Sequence, residues 1–405
     1  MDVASIKDIK TTGKRVLVRV DFNVPLNEET GTITDDSRIR ATLPTMQYLI
    51  NDRAKVILCS HLGRPKGVDE KLRMAVVAEQ LSQILGRKVV VTRDCLGAGV
   101  EKAVANLRNG DVLLLENLRF HPEEEKNDDS FARGLARLAD IYVDDAFGTA
   151  HRAHASVVGV TKYLPAVAGL LLEKEIETLG NLLENPARPF AGLFGGAKIS
   201  DKVAMLKNIM NKVDYLLIGG GMTAIFLKAK SYEIGQSLVE ADMLKTAVEL
   251  MSAATENGTR LALPVDVVVA DTIGADAKVV QTVPVEKISP QLRIVDIGPN
   301  TIKNFQEKLL LCKTVFWNGP MGIYETSRFA EGTKAMAELL AHLNAKTIIG
   351  GGSTAEVVNE LGLTDKMTFV STGGGASLSF LSGETLPGVK ALLSKKSLPG
   401  ELVKK

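Results

Sequence analysis

Phe190-Ala191-Gly192-Leu193-Phe194-Gly195-Gly196-Ala197-Lys198-Ile199-Ser200-Asp201-Lys202 is a short apolar run, a glycine pair and the opening of a segment with helical period. An apolar run without polar alternation suits a strand covered on both faces, and glycine lets backbone turn closely into a helix. The unit recurs along the chain. Runs near 15–20, 56–59, 89–91, 112–115 and 141–143, then 190–194, 215–218, 261–263, 314–317, 347–349 and 368–370, alternate with longer helical stretches. The pattern predicts an α/β protein of two Rossmann-like lobes, each a parallel sheet flanked by helices. Residues 166–184 read as the linker helix between them, with Leu172, Ile176, Leu179 and Leu183 at helical spacing, Pro165 before and Asn185-Pro186 after. Lobes at 1–165 and from 185 onward, with a cleft between them, are therefore expected.

Composition narrows the function. The 405 residues suit two domains, and 49 Lys+Arg against 48 Asp+Glu leave a net charge of +1. That balance excludes a polybasic nucleic-acid or anionic-membrane binder. No apolar stretch approaches the ~20 residues of a membrane helix, and the start lacks a basic-then-apolar leader. Cys59, Cys95 and Cys312 are far apart, with no metal-site spacing and no disulfide framework. They read as small buried hydrophobes in a reducing, cytoplasmic setting.

Ligands of parallel α/β sheets sit beyond the carboxyl ends of the strands. In the first half those positions carry Asp21, Asn23, His61, Arg64, Arg119, Asp144, Asp145, Arg152 and His154, with Arg38 in the loop after the first strand. Guanidinium forks at separate strand ends suit a small carboxylate or phosphate. The offsetting carboxylates, such as Glu123-Glu124-Glu125, are expected elsewhere.

The second half ends its strands in glycine: Gly195-Gly196, Gly219-Gly220-Gly221, Gly319-Pro320-Met321-Gly322, Gly350-Gly351-Gly352 and Gly373-Gly374-Gly375. Five such turns before helices point to bound phosphates. Two of them match GxGxxA, at Gly219, Gly221 and Ala224 and at Gly350, Gly352 and Ala355, which keeps an NAD-dependent oxidoreductase open. Neither is followed by an obvious acidic residue about 20 positions on, and no GxxxxGK[ST] occurs. Lys198 and Lys202 stand four apart and are expected on one face at a helix start, where their charge opposes the dipole. An anion site, a phosphate site and two lysines favour phosphoryl transfer over a non-catalytic protein that binds one phosphorylated metabolite.

The chain resembles the phosphoglycerate kinase family essentially end to end. The resemblance rests on Arg19-Val20-Asp21-Phe22-Asn23-Val24-Pro25, Ser60-His61-Leu62-Gly63-Arg64-Pro65, Glu116-Asn117-Leu118-Arg119-Phe120 and the run from Asp144 to His154. Gly195-Gly196-Ala197-Lys198, Trp317-Asn318-Gly319-Pro320-Met321-Gly322 and the last two glycine triplets complete it. The resemblance implies reversible transfer between 1,3-bisphosphoglycerate and MgADP, giving 3-phosphoglycerate and MgATP, by a monomer whose lobes close on their substrates. It implies 3-phosphoglycerate on 1–165, at Asp21, Phe22, Asn23, Arg38, His61, Leu62, Gly63, Arg64, Arg119, Arg152 and His154. Nucleotide is implied on 185–392, at Lys202, Gly219, Gly220, Ile294, Asn318, Pro320, Glu325, Gly351, Gly352, Ser353 and Thr354. Arg38, Lys198, Lys202, Gly352 and Gly374 are the implied catalytic set, Mg2+ the cofactor, and 393–405 a tail returning to the first lobe.

Two positions depart from the family pattern. Ser353 stands where an Asp usually helps hold Mg2+, leaving a hydroxyl as a weak metal ligand. Ile294-Val295-Asp296 replaces a frequent Gly-Leu-Asp.

Overall fold

Side chains alternate across a strand, so a sheet covered on both faces needs apolar residues at every position. The computed structural model, which describes residues 2–404, meets that condition twice. The chain forms two compact units, one running to Glu177 and resuming at Thr385, the other spanning Thr178–Glu384.

The first unit holds β1 (Arg15–Arg19), β2 (Lys55–Cys59), β3 (Val90–Val91), β4 (Val112–Leu114), β5 (Ile141–Asp144) and β6 (Ala166–Ala168). They form one parallel sheet in the order β3-β4-β2-β1-β5-β6. Val16, Val18, Val56, Leu58, Ile141 and Val143 face one core. Leu17, Ile57, Cys59, Leu113 and Tyr142 face the other.

The expected linker helix over 166–184 is shorter than predicted. Ala166, Val167 and Ala168 pair with Tyr142, Val143 and Asp144 as the edge strand β6, and the helix runs Leu170–Glu184. A Cβ on Gly169 would lie 2.2 Å from Asp145 Oδ1, so glycine separates the two elements. That Asp145 oxygen accepts the N–H groups of Leu171 and Leu172 at 2.9 and 3.2 Å, capping the helix start. The segment from Thr385 belongs to the first unit, so the return begins ahead of the expected 393. Gly388 N–H bonds Ala150 O, Leu393 N–H bonds Ala166 O, and Val403 bridges Ile9.

The second unit holds β7 (Phe190–Phe194), β8 (Tyr215–Ile218), β9 (Arg260–Ala262), β10 (Asp266–Ala270), β11 (Val280–Pro284), β12 (Arg293–Ile297), β13 (Thr314–Asn318), β14 (Lys346–Gly350) and β15 (Phe369–Val370). Six of them form a parallel sheet, β15-β14-β13-β7-β8-β9. The remaining three, β11-β10-β12, form an antiparallel sheet that the sequence reading did not anticipate. Val267 and Val269 of β10 are buried in a core with Ala224, Leu227 and Ile288, while β11 is largely exposed.

Candidate functional site

At the ends of β1, β2, β4 and β5 the first unit gathers its charged residues around a side chain the sequence reading passed over. Arg19, the last residue of β1, is 1% exposed. Its Nε donates to Ser156 Oγ at 2.8 Å, Nη1 to the Val20 carbonyl, and Nη2 lies 3.2 Å from His61 Nδ1. Ser156 passes the contact on, donating through Oγ and N–H to Glu124 at 2.5 and 2.9 Å. Glu124 in turn lies 3.8 Å from His154 Nδ1.

The two histidines are not cations. Burial foremost, and then the flanking arginines against the opposing Asp21, push His61 well below the usual imidazole range. Burial and the same arginines bring His154 down to about 4. Since a guanidinium only donates, His61 Nδ1 is an acceptor and its proton sits on Nε2, a neutral donor. Positive charge therefore comes from Arg19, Arg38, Arg64, Arg119 and Arg152. Arg38 pairs with Asp21, whose own burial disfavours charge but whose pKa the Arg38 and Arg19 guanidinium groups hold low. Arg64 is exposed, with no hydrogen bond or ion pair among the described residues.

The carboxylates expected elsewhere are here. Glu124 is buried in the network and Glu125 lies 3.1 Å from Arg119 Nε, without hydrogen-bond alignment. Set against the five guanidinium groups at these strand ends, Asp21, Glu124 and Glu125 leave a positive surplus. Asp144 and Asp145 are fully buried, and burial raises them to about 6 and about 8. They cap backbone rather than face a ligand.

Phe22, Leu62 and Gly63 shape this site through backbone. Phe22 N–H bonds Ser60 Oγ, Leu62 N–H bonds Asn117 Oδ1, and Gly63 N–H bonds Asn23 Oδ1 at 2.8 Å. Arg119 Nη1 closes the loop on the Gly63 carbonyl at 2.8 Å. Phe22 and Leu62 side chains are buried in the core.

In the second unit the expected helix face bearing both lysines is absent. The helix runs Val203–Met210 with Lys202 as its N-cap, and Lys198 is exposed in the preceding turn. Ile199 is buried between them. Lys202 Nζ donates to Asn318 Oδ1, and burial lowers the amine to about 8 against the opposing Asp201. Asn318 Nδ2 donates to Gly350 O at 2.8 Å, and Thr354 Oγ1 accepts Gly319 N–H at 2.6 Å. One polar chain thus ties the loops after β7, β13 and β14.

The glycines divide into two kinds. A Cβ on Gly195 would lie 2.0 Å from Pro320 O, and one on Gly220 2.6 Å from Gly196 N. These loops stack backbone on backbone, and Gly219 is filled by Met321. Gly352, first in the helix Gly352–Glu360, and Gly374, N-cap of Gly375–Leu381, have nothing within 4 Å and leave room for a ligand. Ser353, next to Gly352, and Glu325, in the loop after β13, are exposed, with no side-chain hydrogen bond or ion pair among the described residues.

An apolar cavity of about 270 Å³ lies between Ala197, Ile199, Gly221, Met222, Ile225 and Leu238. Gly219, Gly220, Ile294 and Pro320, expected to line such a pocket, are not among its walls. Ile294 instead packs on the small sheet's core and donates to Ser237 Oγ. Leu238 is 91% exposed, an apolar flap that nothing in its sequence surroundings marks out. Ser200 donates through Oγ and N–H to Glu240 at 2.5 and 3.1 Å, pinning the lysine turn to the cavity's far wall.

A guanidinium-rich anion site on one parallel α/β unit, with a desolvated lysine and open helix starts on another, defines a phosphotransferase of small anionic molecules. Known proteins say which. The family described as phosphoglycerate kinase matches residues 6–384. Phosphoglycerate kinase of Pelotomaculum thermopropionicum is 55% identical over 392 residues, 96% of this chain and 99% of that protein. That of Moorella thermoacetica is 54% identical over the same shares. Among solved structures, phosphoglycerate kinase from Coxiella burnetii has a TM-score of 0.85 at 40% identity, covering 96% of this chain and 98% of its own. The Pyrococcus horikoshii enzyme has a TM-score of 0.81 at 32% identity, with the same coverage. The chain belongs to the phosphoglycerate kinase family. The oxidoreductase reading falls with that assignment, and its first GxGxxA stretch is packed against Met321 and Ala197.

Proposed function

We propose a division of labour for the family's reaction, reversible phosphoryl transfer between 1,3-bisphosphoglycerate and MgADP. The first unit holds the glycerate through Arg38, Arg64, Arg119 and Arg152, with His61 and His154 as neutral donors. Asp21 and Asn23 take its hydroxyl and orient Arg38. The second unit holds the nucleotide. Its base enters the apolar cavity beside Leu238, its ribose meets Glu325, and its phosphates lie on Lys202, Gly352 and Gly374.

Lys198 and Arg38 neutralise charge on the phosphoryl as it moves. No general base is needed, because the nucleophile is an ionised carboxylate or phosphate oxygen. Positioning and fixed cations do the work.

Mg2+ neutralises the phosphate oxygens when bound. Within 350–354 the side-chain oxygens are Ser353, exposed and uncommitted, and Thr354, already bonded to Gly319. A hydroxyl suits a hard cation but brings no charge, so Ser353 holds the ion only together with nucleotide phosphates.

The observation that carries the reading is the surplus of guanidinium groups at one site and the desolvated Lys202 at the other. A coupled assay with 3-phosphoglycerate and MgATP tests it. Lys198→Ala is expected to lose about 10²–10³-fold in kcat with little change in KM, and retained kcat refutes the assignment. We further read the chain as cytoplasmic, supported by three buried free thiols, and as a monomer, as its family resemblance implies. Light scattering that returned twice the chain mass would correct this.

A further inference from the structure

Away from the arginine cluster, three side chains of different ligand chemistry converge on the first unit. Asp94 and Cys95 follow β3, and His121 follows the turn Leu118–Phe120. One donor atom from each lies within 4.8 Å of the other two, the single such group of His, Cys, Asp and Glu among the described residues. His121 Nε2 and Asp94 Oδ1 are 2.7 Å apart, with the imidazole 32% and the carboxylate 53% exposed. Cys95 lies beneath them, fully buried, its Sγ 3.8 Å from the Asn117 carbonyl. The result is a solvent-open rim of oxygen and nitrogen over a sulfur floor.

We propose that Asp94, Cys95 and His121 bind a borderline-soft divalent cation of the zinc class, with water as the fourth ligand. A mixed sulfur, nitrogen and oxygen set matches zinc, whereas Mg2+ takes oxygen alone, so this site is chemically separate from the nucleotide's metal. Zinc bonds of about 2.0–2.3 Å place neighbouring donors roughly 3.5 Å apart. His121 Nε2 and Asp94 Oδ1, now 2.7 Å apart, therefore part by about 0.8 Å to admit the ion, while the Cys95 Sγ, within 4.8 Å of both, closes by at most about 1.3 Å. The ion replaces the thiol proton, which leaves to solvent, and the His121 Nε2 proton now shared with Asp94, which moves to Nδ1 as the tautomer switches, and it enters between His121 and Asp94. Nothing is oxidised.

Occupancy reaches the anion site through short covalent paths. The carbonyl facing Cys95 belongs to Asn117, whose amide holds Leu62 and Arg119. His121 precedes the turn Pro122–Glu125 that carries Glu124. Drawing His121 toward Cys95 shifts both, so the metal weakens glycerate binding and spares nucleotide binding. This second step rests on the proposed role of the arginine cluster, while metal binding itself does not.

Cobalt(II) titration of the metal-free full chain in excess Mg2+ tests the site. A sulfur-to-cobalt charge-transfer band saturating at one equivalent and abolished by zinc is expected. Cys95→Ser removes it, and His121→Asn or Asp94→Asn, at exposed positions, weakens cobalt binding at least about tenfold with circular dichroism unchanged. No band at one equivalent, or a band surviving Cys95→Ser and His121→Asn, overturns the site. With the band present, zinc is expected to raise KM for 3-phosphoglycerate in the wild type and not in His121→Asn. An equal effect in both overturns the coupling and leaves the reading of the arginine cluster standing.

Discussion

Asn117 grips Leu62 by both of its backbone groups: Oδ1 accepts the Leu62 N–H at 3.2 Å and Nδ2 donates to the Leu62 carbonyl at 2.8 Å. The same amide accepts Arg119 N–H at 3.1 Å and donates to Leu72 O at 2.9 Å. Its neighbour Glu116 holds Met74 N–H at 2.8 Å and Arg73 at 3.0 Å. Two residues at the end of β4 thus fix the loop bearing His61 and Arg64 against Arg119.

Asn117→Ala orphans four backbone groups at once, three of them on the buried Leu62 and Arg119. A buried group left unpaired costs about 1–3 kcal/mol, so the variant should lose at least that much in a urea titration. The anion site loosens with it, and KM for 3-phosphoglycerate should rise more than kcat falls. A wild-type KM would show that the loop holds its place without the clamp.

The repeated βα units and the long motifs were legible because each is local: apolar runs, glycine turns and strand-end arginines occupy contiguous stretches. What stayed hidden depends on distant partners. Arg19 reads as an ordinary strand residue, and its role comes from burial and from Ser156, 137 positions away. The neutral state of His61 and the burial of Glu124 have the same origin. The antiparallel sheet escaped notice because β11 is mostly exposed and β10 is a short valine run. Lys198 and Lys202 have helical spacing, and only the folded backbone shows that the helix starts after them, at Val203.

Gly220 and Gly352 should answer differently to alanine. At Gly220, φ is +64° and the new Cβ meets Gly196 N and Pro320 O at 2.6 Å, so Gly220→Ala should cost stability outright. At Gly352 the Cβ meets nothing, and alanine in a helix is favoured by about 0.5–1 kcal/mol. Gly352→Ala should therefore melt no lower than wild type yet bind MgATP more weakly in calorimetry. Unchanged affinity would remove Gly352 from the phosphate site.

Lys202 should make nucleotide binding a proton-linked event. Burial holds its amine at about 8, below the 10.5 of a free lysine. Between those values the unfolded chain binds the extra proton, so this group makes stability rise with pH across that window. Phosphate beside the amine restores its charge. At pH 8 binding should take up as much as about half a proton, read from calorimetry in buffers of different ionisation enthalpy. Lys202→Met should abolish the uptake.

Asp296 acts in the opposite sense. Burial raises its carboxyl to about 7, although Gly332 and Ile297 N–H groups favour the charge. From about pH 4 to 7 the folded chain holds the proton that the unfolded chain has released, so this group's contribution to stability falls as pH rises. Urea midpoints of Asp296→Asn should change less across that range than those of the wild type. Parallel profiles would mean that Asp296 is charged throughout.

Ser353 tests the metal. It is the second residue of the helix Gly352–Glu360, exposed and free, where a carboxylate would face both the dipole and the ion. Ser353→Asp should stabilise the helix start by about 0.3–1 kcal/mol. It should also lower the Mg2+ concentration giving half-maximal activity at fixed ATP, because a charged oxygen supplements the phosphates as a hard ligand. The two effects separate the possibilities. A higher melting temperature with an unchanged Mg2+ titration would mean that the side chain reaches the dipole but not the ion, and that nucleotide phosphates alone carry the metal. A lowered Mg2+ requirement would place the metal at the start of this helix.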